Sequence, residues 1–532
     1  MVMDIISDII DVESVRQFSE KDKAYMLQEN RLESFWKYPM NMDAFKVVIE
    51  ERKKYETDRV LLKTVLEDQY QALGFEFEDR FSIENENTFT ITTAHQPSLM
   101  TGPLYFIYKA VSSIKLARNL KEKYPDYNFM PVFVIGGEDH DFEEINHFRI
   151  FGKTVTWDNQ GQNGACGRMS LKGMNEVLSQ TKEILGTSEH AANLSKMLED
   201  SFGDDTLTYG QATQKFVIEL FKDTELTVFS MDDEKLKKAF ISILKKELLE
   251  EFSKPLVEQT IADLSSIGLK MQAFPRAINL FYLNEAGRNR IEKNGDVYHI
   301  LNTELKFTEA ELLKELESNP GAFSPNVVLR PLYQEHILPN LAYVGGGGEL
   351  AYWLERKSQF EAAGLSYPML VRRDSVLWFD SNSQNKWAKL GLKQEDWFTE
   401  METLKKAYVL SNSTNEISLA EELEAFNDII NTIAGKTESV DKSLVGKIEA
   451  EGARIRKSLE GIEKRLQKTE KQKFSQAISQ IEKLKERFFP NDGLQERKDN
   501  FMAIYLKHGP EFIDVLLEIQ DPMKTGLKMV TA

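Results

Sequence analysis

Residues 88–135 constrain the fold more than any other stretch of the chain. TFTITTAHQ reads as a strand, PSLMTG as a loop, PLYFIYKAVSSIKLARNLKEKY as a helix and FMPVFVIGG as a second strand. Strand, helix and strand in that order make a βαβ unit, which within one sheet requires parallel strands and a right-handed crossover. The helix has strong start signals: Thr101 and Gly102 are candidate caps, and Pro103 suits the first helical position. Leu104, Ile107, Val111 and Ile114 recur at helical spacing, and Phe106, Ala110 and Ala117 widen that stripe. Such a helix is expected to be buried between the sheet and other helices. ELTVFSM followed by DDEKLKKAFISILKKELLEEF repeats the βα step. VVLRPLYQ, near residue 327, reads as another short strand, and TEAELLKELE ahead of it carries a capping box in Thr308 and Glu311. The fold class is α/β.

At 532 residues the chain has room for about three domains. No long Pro/Ser/Gly-rich linker separates them, so the domains are expected to interleave. Residues 1–75 read as an N-terminal helical segment packed on the core, and 76–378 as the α/β core with connecting insertions at about 155–320. Residues 379–490 read as a helical coiled-coil domain, and 491–532 as a C-terminal segment returning to the core. In the helical domain Ser418 and Glu421 form a capping box ahead of Leu419, Leu423, Phe426 and Ile430. Ile448, Ile455, Leu459, Ile462 and Leu466 then follow the 3/4 spacing of a coiled-coil seam, before a phase shift to Phe474, Ile478, Ile481 and Phe488. Pro490 and Gly493 end it. Lys436 to Phe488 holds 14 Lys/Arg and 9 Asp/Glu, a net of +5. That excess reads either as a docking surface for an acidic partner or second copy, or as a solvated helix face.

Composition excludes several function classes. The formal charge of −18, from 67 Lys+Arg against 85 Asp+Glu, argues against sequence-independent nucleic-acid binding and against an anionic membrane surface. Cys166, the single cysteine, can form neither an intramolecular disulfide nor a thiolate zinc site. No window approaches the roughly 18 apolar residues of a membrane span, and the early acids of MVMDIISDIIDVESVRQF do not resemble a secretory signal. A cytoplasmic protein is expected.

Three segments place polar or glycine residues at a strand end or helix start, where α/β sheets bind ligands. The first holds Thr93, His95, Gln96, Ser98, Thr101 and Gly102; His95 and Gln96 reach the carboxyl edge of the sheet, and the helix start after Thr101–Gly102 can face an anion. The second is Gly136, Gly137, Glu138, Asp139, His140, Asp141, followed by Glu143, Glu144, Asn146 and His147. Four ionisable residues in a row are costly to bury unpaired. On an extended backbone Glu138 and His140 would point one way, and Asp139 and Asp141 the other. Carboxylate plus imidazole suits holding an amine, general-base work or a divalent cation. The third is Gly345, Gly346, Gly347, Gly348 and Glu349, where glycines allow close backbone approach to a phosphate without matching a Walker A loop or a dinucleotide fingerprint. Lys109, Arg330, Arg372 and Arg373 are candidates for anionic substrate groups, with Glu349 as a further substrate contact. Cys166, within GQNGACGRM, has no base fixed beside it by sequence.

TAHQPSLMTGPLYFIYK, GGEDHDFEEINH, SPNVVLRPLYQEHILPN, YVGGGGELAYW and LQERKDNFMAIYL together resemble the bacillithiol biosynthesis cysteine-adding enzyme family, from about residue 30 to the C-terminus. The resemblance implies a Rossmann-like core similar to class I aminoacyl-tRNA synthetases, connecting insertions, and a coiled coil that mediates homodimerisation. It implies a ligase joining the carboxyl group of L-cysteine to the amino group of glucosaminyl-malate. The sequence departs from the family's usual pattern at Ala94–His95–Gln96 and at the four glycines, and lacks a Lys-Met-Ser-Lys-Ser motif. Because a carboxylate is a poor acyl donor, ATP is the expected activator, with Mg²⁺ a candidate companion. The expected nucleotide contacts are His95, Gln96, Thr101, Gly102, Gly346, Gly347 and Gly348, and the expected catalytic group is Glu138, Asp139, His140 and Asp141. Two rival readings are a metal-dependent amidase using the same acids and His140, and a non-catalytic coiled-coil scaffold.

Overall fold

The computed structural model describes residues 6–270, 272–413 and 418–532. The chain forms two compact units, Met1–Trp378 with Gln495–Val530, and Phe379–Leu494 with Thr531–Ala532. No helix among the described residues is long and apolar enough to cross a membrane.

The first unit is organised by five parallel strands: β1 (Thr88–His95), β2 (Asn128–Ile135), β3 (Thr227–Ser230), β4 (Asn340–Gly345) and β5 (Met369–Arg372). Their spatial order is β5-β4-β1-β2-β3. The chain builds outward from β1 on one side and then crosses back to build on the other, so the order reverses between β1 and β4. In open parallel sheets ligands bind beyond the carboxyl ends of the strands at such a switch point. This is a Rossmann-like arrangement.

The strands are buried almost throughout, as parallel strands covered on both faces must be. Buried hydroxyls on β1 are satisfied within the sheet: Thr92 Oγ1 donates to Asn340 Oδ1 at 2.8 Å and Thr93 Oγ1 to Val344 O at 2.7 Å. The crossover helix α1 (Tyr105–Lys123) buries its Phe106, Ile107, Val111 and Ile114 stripe, as its periodicity predicts.

Its start differs from expectation. Thr101 and Gly102 belong to a separate turn with positive φ, not to a cap, and the helix opens after Leu104 without a side-chain cap. Asn500 Nδ2 ties that turn down by donating to Met100 O (2.9 Å) and Gly102 O (2.7 Å), while Leu104 N donates to Asp499 O. The capping groups come from a segment some 400 residues away in sequence, which local reading cannot see.

The predicted VVL strand is a turn instead. Asn326 Oδ1 accepts from Val328 N at 2.8 Å, and Arg330 opens a helix, Arg330–Ile337, with Pro331 in its first turn. The capping box of Thr308 and Glu311 forms as read. Between β3 and β4 the chain also builds an antiparallel sheet in the order Lys306–Thr308, Val297–Ile300, Gly287–Asn294, Leu280–Asn284, Phe323–Pro325.

In the second unit Ala420–Glu438 and Val445–Lys473 pair closely enough that a Cβ on Gly452 would lie 2.9 Å from Ile430. The phase shift read from sequence is a helix break at Phe474, after which Ser475–Phe488 continues. Ser418 Oγ accepts from Ala420 N, and among the described residues it forms no capping box with Glu421, the helix opening on Leu419 without a side-chain cap.

Candidate functional site

The carboxyl ends of four strands open into one cleft of about 680 Å³, a volume typical of small-molecule sites. His95 and Gln96 enter it from β1, Gly136 to Asp139 from β2, Met231 and Asp232 from β3, and Gly346 to Glu349 from β4. All three segments singled out in the sequence therefore meet. Gln96 Nε2 donates to Asp139 Oδ2 at 3.0 Å, linking the first segment directly to the second.

The acidic wall is held by cations that the sequence reading did not identify. Lys237, its side chain 1 % exposed, places Nζ 2.5 Å from Glu138 Oε1 and 3.0 Å from Asp232 Oδ1. Arg168 grips the same Asp232 through two contacts of 2.6 Å. Burial pushes the Glu138 carboxyl above its ordinary pKa, against the opposing pull of Lys237. Asp232 goes the other way: burial works against its charge, but Lys237 and Arg168 hold it at about 2.

Asp139 is half exposed. Partial burial opposes its ionisation, yet its hydrogen bond with His140 and the Arg288 guanidinium hold it well below the usual carboxylate range. Arg288 comes from the antiparallel sheet, buried over the Phe281 ring, and reaches Asp139 Oδ1 and His140 Nδ1 at 3.3 Å each. The expected strand-like alternation after Gly137 is replaced by a turn, so Glu138 and Asp139 both line the cleft, while His140 and Asp141 are not part of its lining. His140 packs against Phe281 beside Asp139.

That turn depends on glycines. A Cβ on Gly167 would lie 2.6 Å from Gly137 Cα, and one on Gly210 2.9 Å from Gly167 O, so three backbones stack where no side chain fits. Cys166 N donates to Asp139 O at 2.7 Å, fixing the acidic turn from behind. Burial, and the Asp139 charge after it, push the Cys166 thiol up to about 12, which leaves it a poor nucleophile.

On the opposite wall Gly346 precedes the helix Gly347–Leu354, and Glu349 Oε2 reaches back to Gly346 N at 2.9 Å. Glu349 Oε1 accepts from Lys109 Nζ (2.8 Å) and from Tyr343 Oη (2.7 Å). Although burial opposes it, Lys109 keeps Glu349 ionised, with a pKa of about 2. Lys109 is itself buried and also donates to Ala94 O, so it braces the wall from behind and does not line the cleft. Burial and the nearby Lys109 charge lower His95 to about 4, making it neutral at pH 7.

The basic candidates divide. Arg330 lines the cleft and donates to Tyr352 Oη at 2.7 Å. Arg372 does not line it: its guanidinium is buried in a two-point pair with Asp22 at 2.8 and 2.9 Å. Arg373 lines the cleft while bound to Glu496 at 2.7 Å. Thr101 and Gly102 lie beneath Asn500, away from the cleft lining. Glu144 and Arg497, which had no assigned role, do line it. Among the described residues no group of three or more His, Cys, Asp and Glu side chains is arranged to hold a metal ion.

Comparison with known proteins agrees with this architecture. The family model described as "Bacillithiol biosynthesis BshC, N-terminal Rossmann-like domain" matches residues 8–374, and its C-terminal coiled-coil domain model matches 376–532. The "Putative cysteine ligase BshC" of Flavobacterium johnsoniae is 38% identical over 531 residues, covering 99% of both chains. The protein of the same name from Christiangramia forsetii is 38% identical over 95% of this chain and 96% of its own. That from Chlorobaculum tepidum is 28% identical over 84% of each. A solved structure described as a "putative arginyl t-RNA synthetase" from Campylobacter jejuni is 11% identical, with a TM-score of 0.22 over 87% of this chain and 99% of its own, too loose a likeness to carry an argument. The chain belongs to the bacillithiol biosynthesis BshC family.

Proposed function

We propose that the cleft is the active site of a ligase that joins the carboxyl group of L-cysteine to the amino group of glucosaminyl-malate at the expense of ATP. The observation that carries this reading is the meeting of an acidic wall and a glycine-bearing helix start across one cleft at the sheet's switch point. The family relatives' printed name, cysteine ligase, fits the same chemistry.

Amide formation needs three things from the protein. An ammonium group must be held, and Asp139, which stays ionised, is suited to that. The attacking amine must lose a proton, and Glu138, raised by burial above its ordinary pKa and so a stronger base than an exposed carboxylate, is suited to take it. Polyanionic phosphates need donors, and the opening N–H groups of the helix after Gly346 have no partner within that helix. His95, being neutral, offers hydrogen bonds without charge.

Incubation of the purified protein with cysteine, ATP and glucosaminyl-malate is expected to yield the condensed thiol by mass spectrometry. Asp139→Asn is expected to raise the KM for one amine substrate about 10- to 100-fold, the worth of one charged hydrogen bond. Glu138→Gln is expected to lower kcat by about 100-fold or more. Absence of the product mass with wild-type protein would overturn the reading.

The same reading includes a homodimer formed through the coiled coil. Ile455, Ile462 and Leu466 leave 45%, 47% and 41% of their surface exposed on the long helix, a row of apolar side chains that pairing would cover. Ile455→Asp combined with Ile462→Asp is expected to shift the sedimentation of the full chain from dimer to monomer. An unchanged sedimentation coefficient would refute the dimer or its place.

A further inference from the structure

The segment LQERKDN at 494–500 has no part in the reaction as described, yet its side chains are deeply engaged. Gln495 exchanges two hydrogen bonds with the backbone of Trp378. Glu496, buried, accepts from Arg373 Nη2 (2.7 Å), Ser375 Oγ (3.1 Å) and Val376 N (3.2 Å). Asp499 pairs with Arg149, and Asn500 holds the Met100–Gly102 turn. Among the described residues no side-chain hydrogen bond or ion pair is seen for Arg497 or Lys498, although the Arg497 charge helps to hold Glu496 and Asp22 ionised, and of the two only Arg497 lines the cleft.

Its position among the other cations makes this informative. Arg288 is engaged by Asp139, Arg330 by Tyr352 and Arg373 by Glu496. Lys109 and Arg372 are spent on Glu349 and Asp22, outside the cleft lining. An arginine on an ordinary surface loses much of its binding energy to the ordering of its own chain. Here Glu496 before it and Asp499 and Asn500 shortly after it are held, so mainly the side chain remains to be ordered, and its planar fork matches a carboxylate or phosphate.

We propose that Arg497 is the substrate-anion receptor of the cleft, taking a carboxylate or phosphate group of a substrate bound in the cleft that it lines with Tyr105 and Gly346. The identity of that anion rests on the ligase reading; the presence of a receptor does not. A dicarboxylic acceptor, the phosphates of a nucleotide and the carboxylate of cysteine share the required chemistry.

The test uses the full-length protein and isothermal titration with three separate probes, sodium L-malate, ATP and L-cysteine, against wild type, Arg497→Gln and Arg497→Lys. Arg497→Gln is expected to weaken a single one of the three at least tenfold at unchanged Tm, and Arg497→Lys to recover part of the loss. The probe affected names the source of the anion. Equal affinities in Arg497→Gln, uniform weakening of all three with a lowered Tm, or no binding of any probe by wild type would each overturn the assignment. The two readings fail separately. Loss of anion binding in Arg497→Gln without condensed thiol from wild type would leave the receptor standing and remove the ligase. Wild-type KM values for every substrate in Arg497→Gln would do the reverse.

Discussion

Lys237→Met is expected to be the most damaging single substitution in the acidic wall, destabilising the chain by about 3–5 kcal/mol, the usual result of stripping one partner from a buried ion pair. Methionine fills much of the same volume, so the loss isolates charge. Lys237 Nζ lies between Glu138 and Asp232 and also donates to Gly321 O at 3.2 Å. Arg168 remains to satisfy Asp232, whereas Glu138 is left buried with its direct cation gone. The effect should depend on pH with a definite sign. Because burial already raises Glu138 above its unfolded pKa, the folded chain holds this proton more readily than the unfolded one. Stability from this source is fully present below the ordinary carboxylate pKa and is lost as pH rises through the raised folded value. Removing Lys237 lifts that value further, so the deficit against wild type should be larger at pH 8 than at pH 5. Urea unfolding at the two pH values measures it. A deficit under 1 kcal/mol at pH 8, or one that grows towards pH 5, would contradict the pairing. Activity should fall with it if Glu138 is the base, since a carboxyl raised further is ionised in a smaller share of molecules.

Lys237 also shows where sequence reading stops. The βαβ unit, the burial of α1 and the sites at the strand ends follow from periodicity and from the geometry of parallel sheets, both local properties of the text. Asp232 was within reach of the same logic, since it follows the strand ELTVFSM at the edge where β1, β2 and β4 deliver their polar residues. The antiparallel sheet had a signal too: Gly295–Asp296, with Gly295 at φ +62°, is the two-residue loop between the paired Asn294 and Val297, and glycine at its first position is a hairpin signal. Arg288, Lys237 and Arg168 had none. They reach Glu138, Asp139 and Asp232 by folding back insertions whose own patterns say only strand or helix. The reverse error has the same origin. Arg372 and Lys109 are basic residues near the right strands, but Asp22 and Glu349, far off in sequence, claim them. Local text indicates which residues reach an edge; it does not indicate which of them arrive already paired.

Gly347→Ala and Gly348→Ala are expected to behave oppositely, although the sequence presents four glycines without distinction. A Cβ on Gly347 would sit 2.3 Å from Asp22 Cγ and 2.4 Å from Asp22 Oδ1, whereas one on Gly348 meets nothing within 4 Å. Asp22 cannot swing aside, because both of its oxygens are held by Arg372 in a buried pair. The added methyl must therefore either break that pair or push the start of helix Gly347–Leu354 towards the cleft. Overpacking of this kind costs about 1–3 kcal/mol, and more if the pair separates. Alanine's advantage over glycine within a helix, about 0.5–1 kcal/mol, is too small to offset it. At Gly348 the same advantage acts unopposed, so stability should be unchanged or slightly higher. The two variants then distinguish two roles for the loop. A Gly347→Ala protein that unfolds at lower urea while Gly348→Ala matches wild type would establish that the first glycine is required by Asp22. If Gly348→Ala, stable as it is, binds ATP at least tenfold more weakly, the second glycine is required by close approach of the ligand. Equal stability of Gly347→Ala and wild type would mean that the carboxylate of Asp22 does not press on the loop, and the link from N-terminal segment to glycine turn would be lost.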